Sequence, residues 1–229
     1  MSLNFDTLFG PYQDKVLINY DWVDADSATG YVFYDGFTAV DNTGTTYCLE
    51  KSSERYSLFS YNDTGYTYFA YDVSGGGLIK YGDIDFNTGY FKKERTIRGK
   101  AILRIPIYLN ASSGVDPEIT TGYTVVKVRK YNSDTSTETE IVSVQSAVMG
   151  TNYRTSSIKR LYVLPVEIPQ TVISINECIR ITVEVWVDLE EGSWRMQIGH
   201  NPQDLACGGF SAGESRLIIS MPFKIEAET

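Results

Sequence analysis

The clearest pattern in the chain runs from Glu177 to Leu189. There Ile179, Ile181, Val183, Val185, Val187 and Leu189 alternate with Cys178, Arg180, Thr182, Glu184, Trp186 and Asp188. Side chains leave a strand on opposite sides with a period of two, so this stretch predicts a strand with an aliphatic stripe inward and a mixed face outward. Val183, Val185 and Val187 are expected to be core. The same alternation closes the chain over Arg216 to Ile225, through Leu217, Ile219, Met221, Phe223 and Ile225. Further strands are predicted over Ile97 to Leu109, Val125 to Tyr131, Glu138 to Val148, Lys159 to Ile168 and Ser193 to Gly199. Proline lacks the N–H that a ladder needs, so Pro106 predicts an edge or a bulge and Pro165 an interruption. Only Pro202 to Ala206 looks capable of a helical turn.

The first 95 residues give shorter signals. Val16 to Tyr20, Tyr31 to Tyr34, Thr45 to Glu50, Tyr56 to Tyr61 and Tyr66 to Asp72 are rich in β-branched and aromatic residues. Between them, Asp26-Ser-Ala-Thr-Gly30, Asp41-Asn-Thr-Gly44, Asn62-Asp-Thr-Gly65 and Asn87-Thr-Gly89 carry the turn residues that tolerate positive φ. The expected fold is all-β: a two-sheet antiparallel sandwich, jelly-roll-like, over residues 96–229, with an additional N-terminal β region. That region, residues 1–95, is either a separate small domain or extra strands of the sandwich.

Composition narrows the classes. The chain has 229 residues, 42% of them hydrophobic, which suffices for a sizeable core. Twenty basic against 29 acidic residues give a net charge of −9, with no basic excess to neutralise phosphates; nucleic acid is not an expected partner. Met1 to Gly10 shows neither a basic leader nor an apolar region, and the longest apolar stretches, such as Leu217 to Phe223, are far short of a membrane span. No membrane partner is expected. Cys48, Cys178 and Cys207 are widely separated and form no CxxC pair, so reduced thiols are expected and Cys178 reads as a small packing residue.

Candidate chemistry is thin. His200 is the chain's one histidine and lies in Gln197-Ile-Gly-His-Asn-Pro202, where a strand runs into an Asn-Pro turn. A hydrogen bond stabilising that turn is the expected role, and no nucleophile or orienting acid is matched to it. The glycines at 75–77 and 208–209 lack the context of a phosphate loop. Asp24/Asp26 and Asp83/Asp85 are carboxylate pairs spaced to share one face of a strand, as a hydrolase dyad or a calcium site requires. Both read as solvated turn carboxylates. No catalytic, cofactor-binding or metal-ligating residue is expected, and no cofactor.

The strongest local anomaly is aromatic. Eleven aromatics fall between Tyr56 and Phe91. Tyrosine joins a rigid apolar body to a polar tip, which suits a strand core, a subunit interface or sugar stacking alike. Tyr61, Tyr66, Tyr68 and Tyr71 are the candidate interface residues.

Four stretches carry a family likeness: Arg95-Thr-Ile-Arg-Gly-Lys-Ala-Ile-Leu-Arg-Ile-Pro106, Ile175-Asn-Glu-Cys-Ile-Arg-Ile-Thr-Val-Glu-Val-Trp186, Gly199-His-Asn-Pro202 and Leu217-Ile-Ile-Ser-Met-Pro-Phe223. In this order they resemble the β-rich, jelly-roll-like head or tail accessory proteins of tailed bacteriophages, over residues 95–229 and as a pattern without a chemical motif. The resemblance implies a non-enzymatic virion structural protein, a capsid decoration or head/tail accessory subunit. Its partners would be copies of itself and major capsid or tail proteins, and its location the virion after synthesis in the host cytoplasm. The alternative is a carbohydrate- or receptor-binding β-sandwich module of a viral fibre, with glycans as partners.

Overall fold

The computed structural model describes residues 18–19, 29–41, 44–51, 65–73, 77–111, 118–149, 153–154, 157–189 and 192–224. The strands in chain order are β1 (Ile18–Asn19), β2 (Thr29–Asp41), β3 (Gly44–Lys51), β4 (Tyr66–Val73), β5 (Leu78–Thr88), β6 (Arg95–Ala111) and β7 (Glu118–Asn132). They continue with β8 (Thr137–Gln145), β9 (Tyr153–Arg154), β10 (Ser157–Ile173), β11 (Glu177–Leu189), β12 (Gly192–Gly199) and β13 (Ile218–Lys224). No helix occurs among the described residues, so none is long and apolar enough to cross a membrane.

Hydrogen bonds link the strands in the order β4-β12-β6-β13-β2-β3-β5-β11-β7-β8, with β10 flanking β6 on its other side. The path folds over into two layers. One holds β10, β6, β12, β4, β13, β2 and β3; the other holds β5, β11, β7 and β8. A short parallel contact, Cys48 beside Asn87 and Leu49 beside Thr88, carries the path from β3 to β5. All other pairings are antiparallel. The layers meet where the Tyr81 hydroxyl of β5 donates to the Trp194 carbonyl of β12 at 2.6 Å. Gly82 sits at the same crossing, where an added Cβ would lie 3.0 Å from Met196 and 3.1 Å from Phe69.

The sandwich is therefore all-β, as the alternation predicted. One core fills it: Ile179, Ile181, Val183, Val185, Val187 and Leu189 from β11 and Ile97, Ala101, Leu103, Ile105, Ile107 and Leu109 from β6 are all buried in it. Strands from residues 29–88 pair directly with later ones, β2 with β13 and β5 with β11.

Four local expectations change. Pro106 is neither at an edge nor in a bulge, because β6 is a central strand. On one side of β6, β12 pairs with residues Ile107 to Ala111 and β13 with Arg104 and residues before it. Pro106 stands at the gap between those two partners, where no ladder bond is needed. Pro165 does not interrupt its strand, since β10 runs unbroken to Ile168 in register with β6 alone. An outer strand tolerates the missing donor. The strand at β5 was not expected at all, and the turn signals around Pro202 to Ala206 give no helix.

Candidate functional site

The structure removes His200 from any role at the surface. It is fully buried, packed edge-on between Tyr47 and Phe86 at centroid distances of 6.0 and 5.8 Å. Its Nε2 pairs with the Thr67 hydroxyl at 2.9 Å, and that hydroxyl lies 3.1 Å from the Tyr47 hydroxyl. Nδ1 has no hydrogen-bond partner among the described residues. Burial pushes the imidazole pKa down to about 4, so the ring is neutral near pH 7. The expected turn-stabilising hydrogen bond is thus made by the backbone, His200 N to the Gly65 carbonyl at 2.8 Å, while the ring is core.

Where the other candidates lie among the described residues, the structure gives each its local surroundings. Asp24, Asp26 and Tyr61 lie outside the described residues. Asp83 and Asp85 share the outer face of β5, but each is used locally: Lys80 binds Asp83 at 2.6 Å and the Thr182 hydroxyl donates to Asp85 at 2.5 Å. No group of three His, Cys, Asp or Glu side chains able to hold a metal occurs among the described residues. The three cysteines are free thiols, and burial pushes Cys48 and Cys178 up to about 11, which keeps them protonated. Of the tyrosines, Tyr68 is half exposed with the Arg195 guanidinium 6.0 Å from its ring, and Tyr66 is partly covered by Gly208. Tyr71 belongs to β4, opposite Trp194 of β12. Thr67 and Phe69 point inward between the outward Tyr66 and Tyr68.

A different arrangement emerges on the outer face of β5, β11, β7 and β8. The mixed residues of β11 do not stand free in solvent: Thr182 and Glu184 are buried, and Arg180 and Trp186 are half-buried. Register sets Trp186 between Lys80 of β5 and Tyr123 of β7. The Trp186 and Tyr123 rings lie nearly parallel, at 17° with centroids 6.4 Å apart. Trp186 is pinned at its edge, because its Nε1 donates to Glu184 Oε2 at 3.0 Å. Glu184 Oε1 takes the Lys127 ammonium at 2.7 Å. Burial alone would raise the Glu184 pKa; the hydrogen bonds from Lys127 and Trp186 outweigh it and hold the carboxyl below the usual range. An ionised carboxylate with both oxygens engaged fixes the indole edge in one orientation.

Towards the other end of β11, the Arg180 guanidinium lies 3.9 Å over the Tyr131 ring. Arg180 also donates to Asn87 at 2.7 Å and pairs with Asp85 and Glu138. Sequence reading placed Trp186 on the outward face without weighing it. A tryptophan inside a polar stripe was the available signal; Tyr123 lay just outside the predicted strand and gave none.

No protein family and no curated protein matches the chain. Solved structures do match, at low similarity. An α-amino acid ester hydrolase is 8% identical with a TM-score of 0.46, covering 83% of this chain and 36% of its own. An aminopeptidase from a marine sediment Thaumarchaeota archaeon is 7% identical, TM-score 0.48, covering 84% and 37%. The infectious bursal disease virus structure is 9% identical with a TM-score of 0.24, covering 75% and 40%. The chain spans less than half the length of these proteins. The expectation of a non-enzymatic virion structural protein is not met: the first three of these neighbours are hydrolases, and the infectious bursal disease virus structure follows them. At such TM-scores and identities the hydrolases lend this chain neither a reaction nor a residue.

Proposed function

We propose that this β-sandwich is a recognition module whose outer β5-β11-β7-β8 face binds carbohydrate, with a sugar ring stacked on Trp186 and Tyr123. One observation carries the reading: a near-parallel tryptophan–tyrosine pair on a sheet face, with the tryptophan locked by a buried, ion-paired glutamate. A flat apolar ring with a polar edge complements the C–H face and hydroxyl rim of a pyranose. Pre-organisation matters as much as contact, since a ring already held loses little freedom on binding. The hydroxyl rim meets fixed donors and acceptors nearby, namely Lys80, Asp83 and Lys127.

Affinity electrophoresis against soluble polysaccharides tests it. The expected result is retardation by at least one glycan that Trp186→Ala abolishes while the variant keeps the parent's circular dichroism spectrum and cooperative melting, at a temperature lowered by the lost Glu184 hydrogen bond. Absence of retardation across the panel, or retardation unchanged by W186A, would overturn the reading.

A further inference from the structure

We infer that the ligand of this face is an uncharged, extended polysaccharide lying along β11, rather than an acidic one or a single terminal sugar. This rests on the carbohydrate reading above and adds to it the ligand's charge and length.

Charge is decided by what the cations on the face already do. Lys80 is held by Asp83, Lys127 by Glu184, Arg129 by Glu138, and Arg180 by Asp85 and Glu138. Each of these four cations has a carboxylate partner, and Glu140 opposite Arg129 and Asp188 two residues beyond Trp186 add further acid, so the face has no excess of positive charge. A uronate or sulfate would have to break one of these pairs, and Lys127 could leave only by stranding a carboxylate that is buried. A site for an anionic chain would instead present unpaired arginines or lysines. Hydroxyl groups ask for less. They can add to groups that are already paired, since a carboxylate accepts more than one hydrogen bond and an ammonium has three donors.

Length is decided by spacing. Trp186 and Arg180 are six residues apart on a continuous strand, or roughly 20 Å at the usual rise. At one end stands the indole with Tyr123; at the other, the planar guanidinium seated on Tyr131. Between them Thr182 and Glu184 are buried, and the side chains bound to them, Asp85 and Lys127, supply the polar surface that an extended chain would cross. Two flat patches joined by a track of paired polar side chains suit an extended glycan of several residues. A terminal sugar would use one patch and ignore the other.

The test sets neutral polymers, xylan and glucomannan, against acidic ones, alginate and polygalacturonate, with isothermal titration at low and high salt. The unmodified chain is expected to bind a neutral polymer about tenfold or more tightly than either acidic one. That affinity should change less than about twofold with salt, because no charge on the ligand is screened. Oligosaccharides of rising length should gain affinity until they reach from Trp186 to Arg180. Tyr131→Ala should weaken the polymer and leave the shortest oligosaccharide unaffected. Preference for alginate or polygalacturonate, or affinity that falls steeply with salt, overturns the inference even though W186A-sensitive binding would leave the carbohydrate reading standing. Length-independent affinity overturns it likewise. No binding to any of the four polymers removes both.

Discussion

The two outer faces of the sandwich invert the usual rule in opposite ways. On the β5-β11-β7-β8 side, polar residues are buried: Glu184 is 4% exposed and Thr182 2%. On the β10-β6-β13-β2 side, apolar residues are bare: Val163 is 59% exposed, and Leu161 and Ile102 are each 44%. Register makes both faces continuous. Pro165, Ile102, Ser220 and Phe33 stand side by side across the second face, as Lys80, Trp186 and Tyr123 do across the first. The difference teaches where organisation was invested. Interlocked charges hold the first face in one arrangement, whereas the second is the reverse side of strands whose apolar residues happen to lie in both directions. Exposed single apolar residues are common on folded proteins; buried, fully paired carboxylates are not.

Both faces rest on one core, and breaking that core should swamp any difference between them. Leu103→Ala, beneath the apolar face, should cost about 2–5 kcal/mol through lost burial and a residual cavity. Val185→Ala, beneath the polar face, should cost about 1–3 kcal/mol for its smaller volume. Chemical denaturation reads both. If V185A melts within a degree of the parent, β11 does not present the face assigned to it.

The next effect belongs to the polar face alone. Lys127→Ala leaves Glu184 buried with one oxygen unpaired, and should cost about 1–3 kcal/mol. It should also change the acid limb of stability. Glu184 has a depressed folded pKa, so its contribution is full above the unfolded carboxylate value near 4.5 and is lost as pH falls through the folded pKa. His200 contributes earlier. Its pKa falls from 6.5 to about 4, the unfolded chain takes up the proton first, and stability of about 3 kcal/mol drains between those pH values. A melting curve from pH 7 to 3 should therefore show two losses. His200→Phe should flatten the upper one and Lys127→Ala the lower. A single unchanged limb in both variants would mean that neither group is buried as described.

How much of this was legible follows from what alternation can and cannot encode. The β11 stripe was read to the residue because it is amphipathic: aliphatic on one side, polar on the other. At β10, Leu161, Val163 and Pro165 alternate with Tyr162, Leu164 and Val166, apolar in both phases, so the strand was visible but its exposed side was not. The strand β5 was hidden by Gly82 and by Asp83 and Asp85, which look like turn residues locally and are strand residues because β11 pairs with them. His200 was misplaced because an Asn-Pro turn signals surface, while its ring reaches back to Thr67 across the layer. The aromatic pair was missed for the same reason. Trp186 and Tyr123 are 63 positions apart, and only strand register brings them together. Counting aromatics along the chain instead drew attention to Tyr66 and Tyr68, whose local density is greater.

The smallest expected effect bears on the apolar face. Val163→Ser removes a side chain that is mostly in water already, so little burial is lost; stability should change by no more than about 0.5 kcal/mol. Serine also costs some strand propensity, which pushes in the same direction and remains small on an outer strand. The informative control is its neighbour Leu164, which points inward and is buried. Leu164→Ala should cost about 2–5 kcal/mol, so the two adjacent positions should differ severalfold in a single denaturant titration. Equal losses at 163 and 164 would mean that both sides of β10 are covered in solution. The contrast between the faces would then vanish, since the second would be as buried as the first.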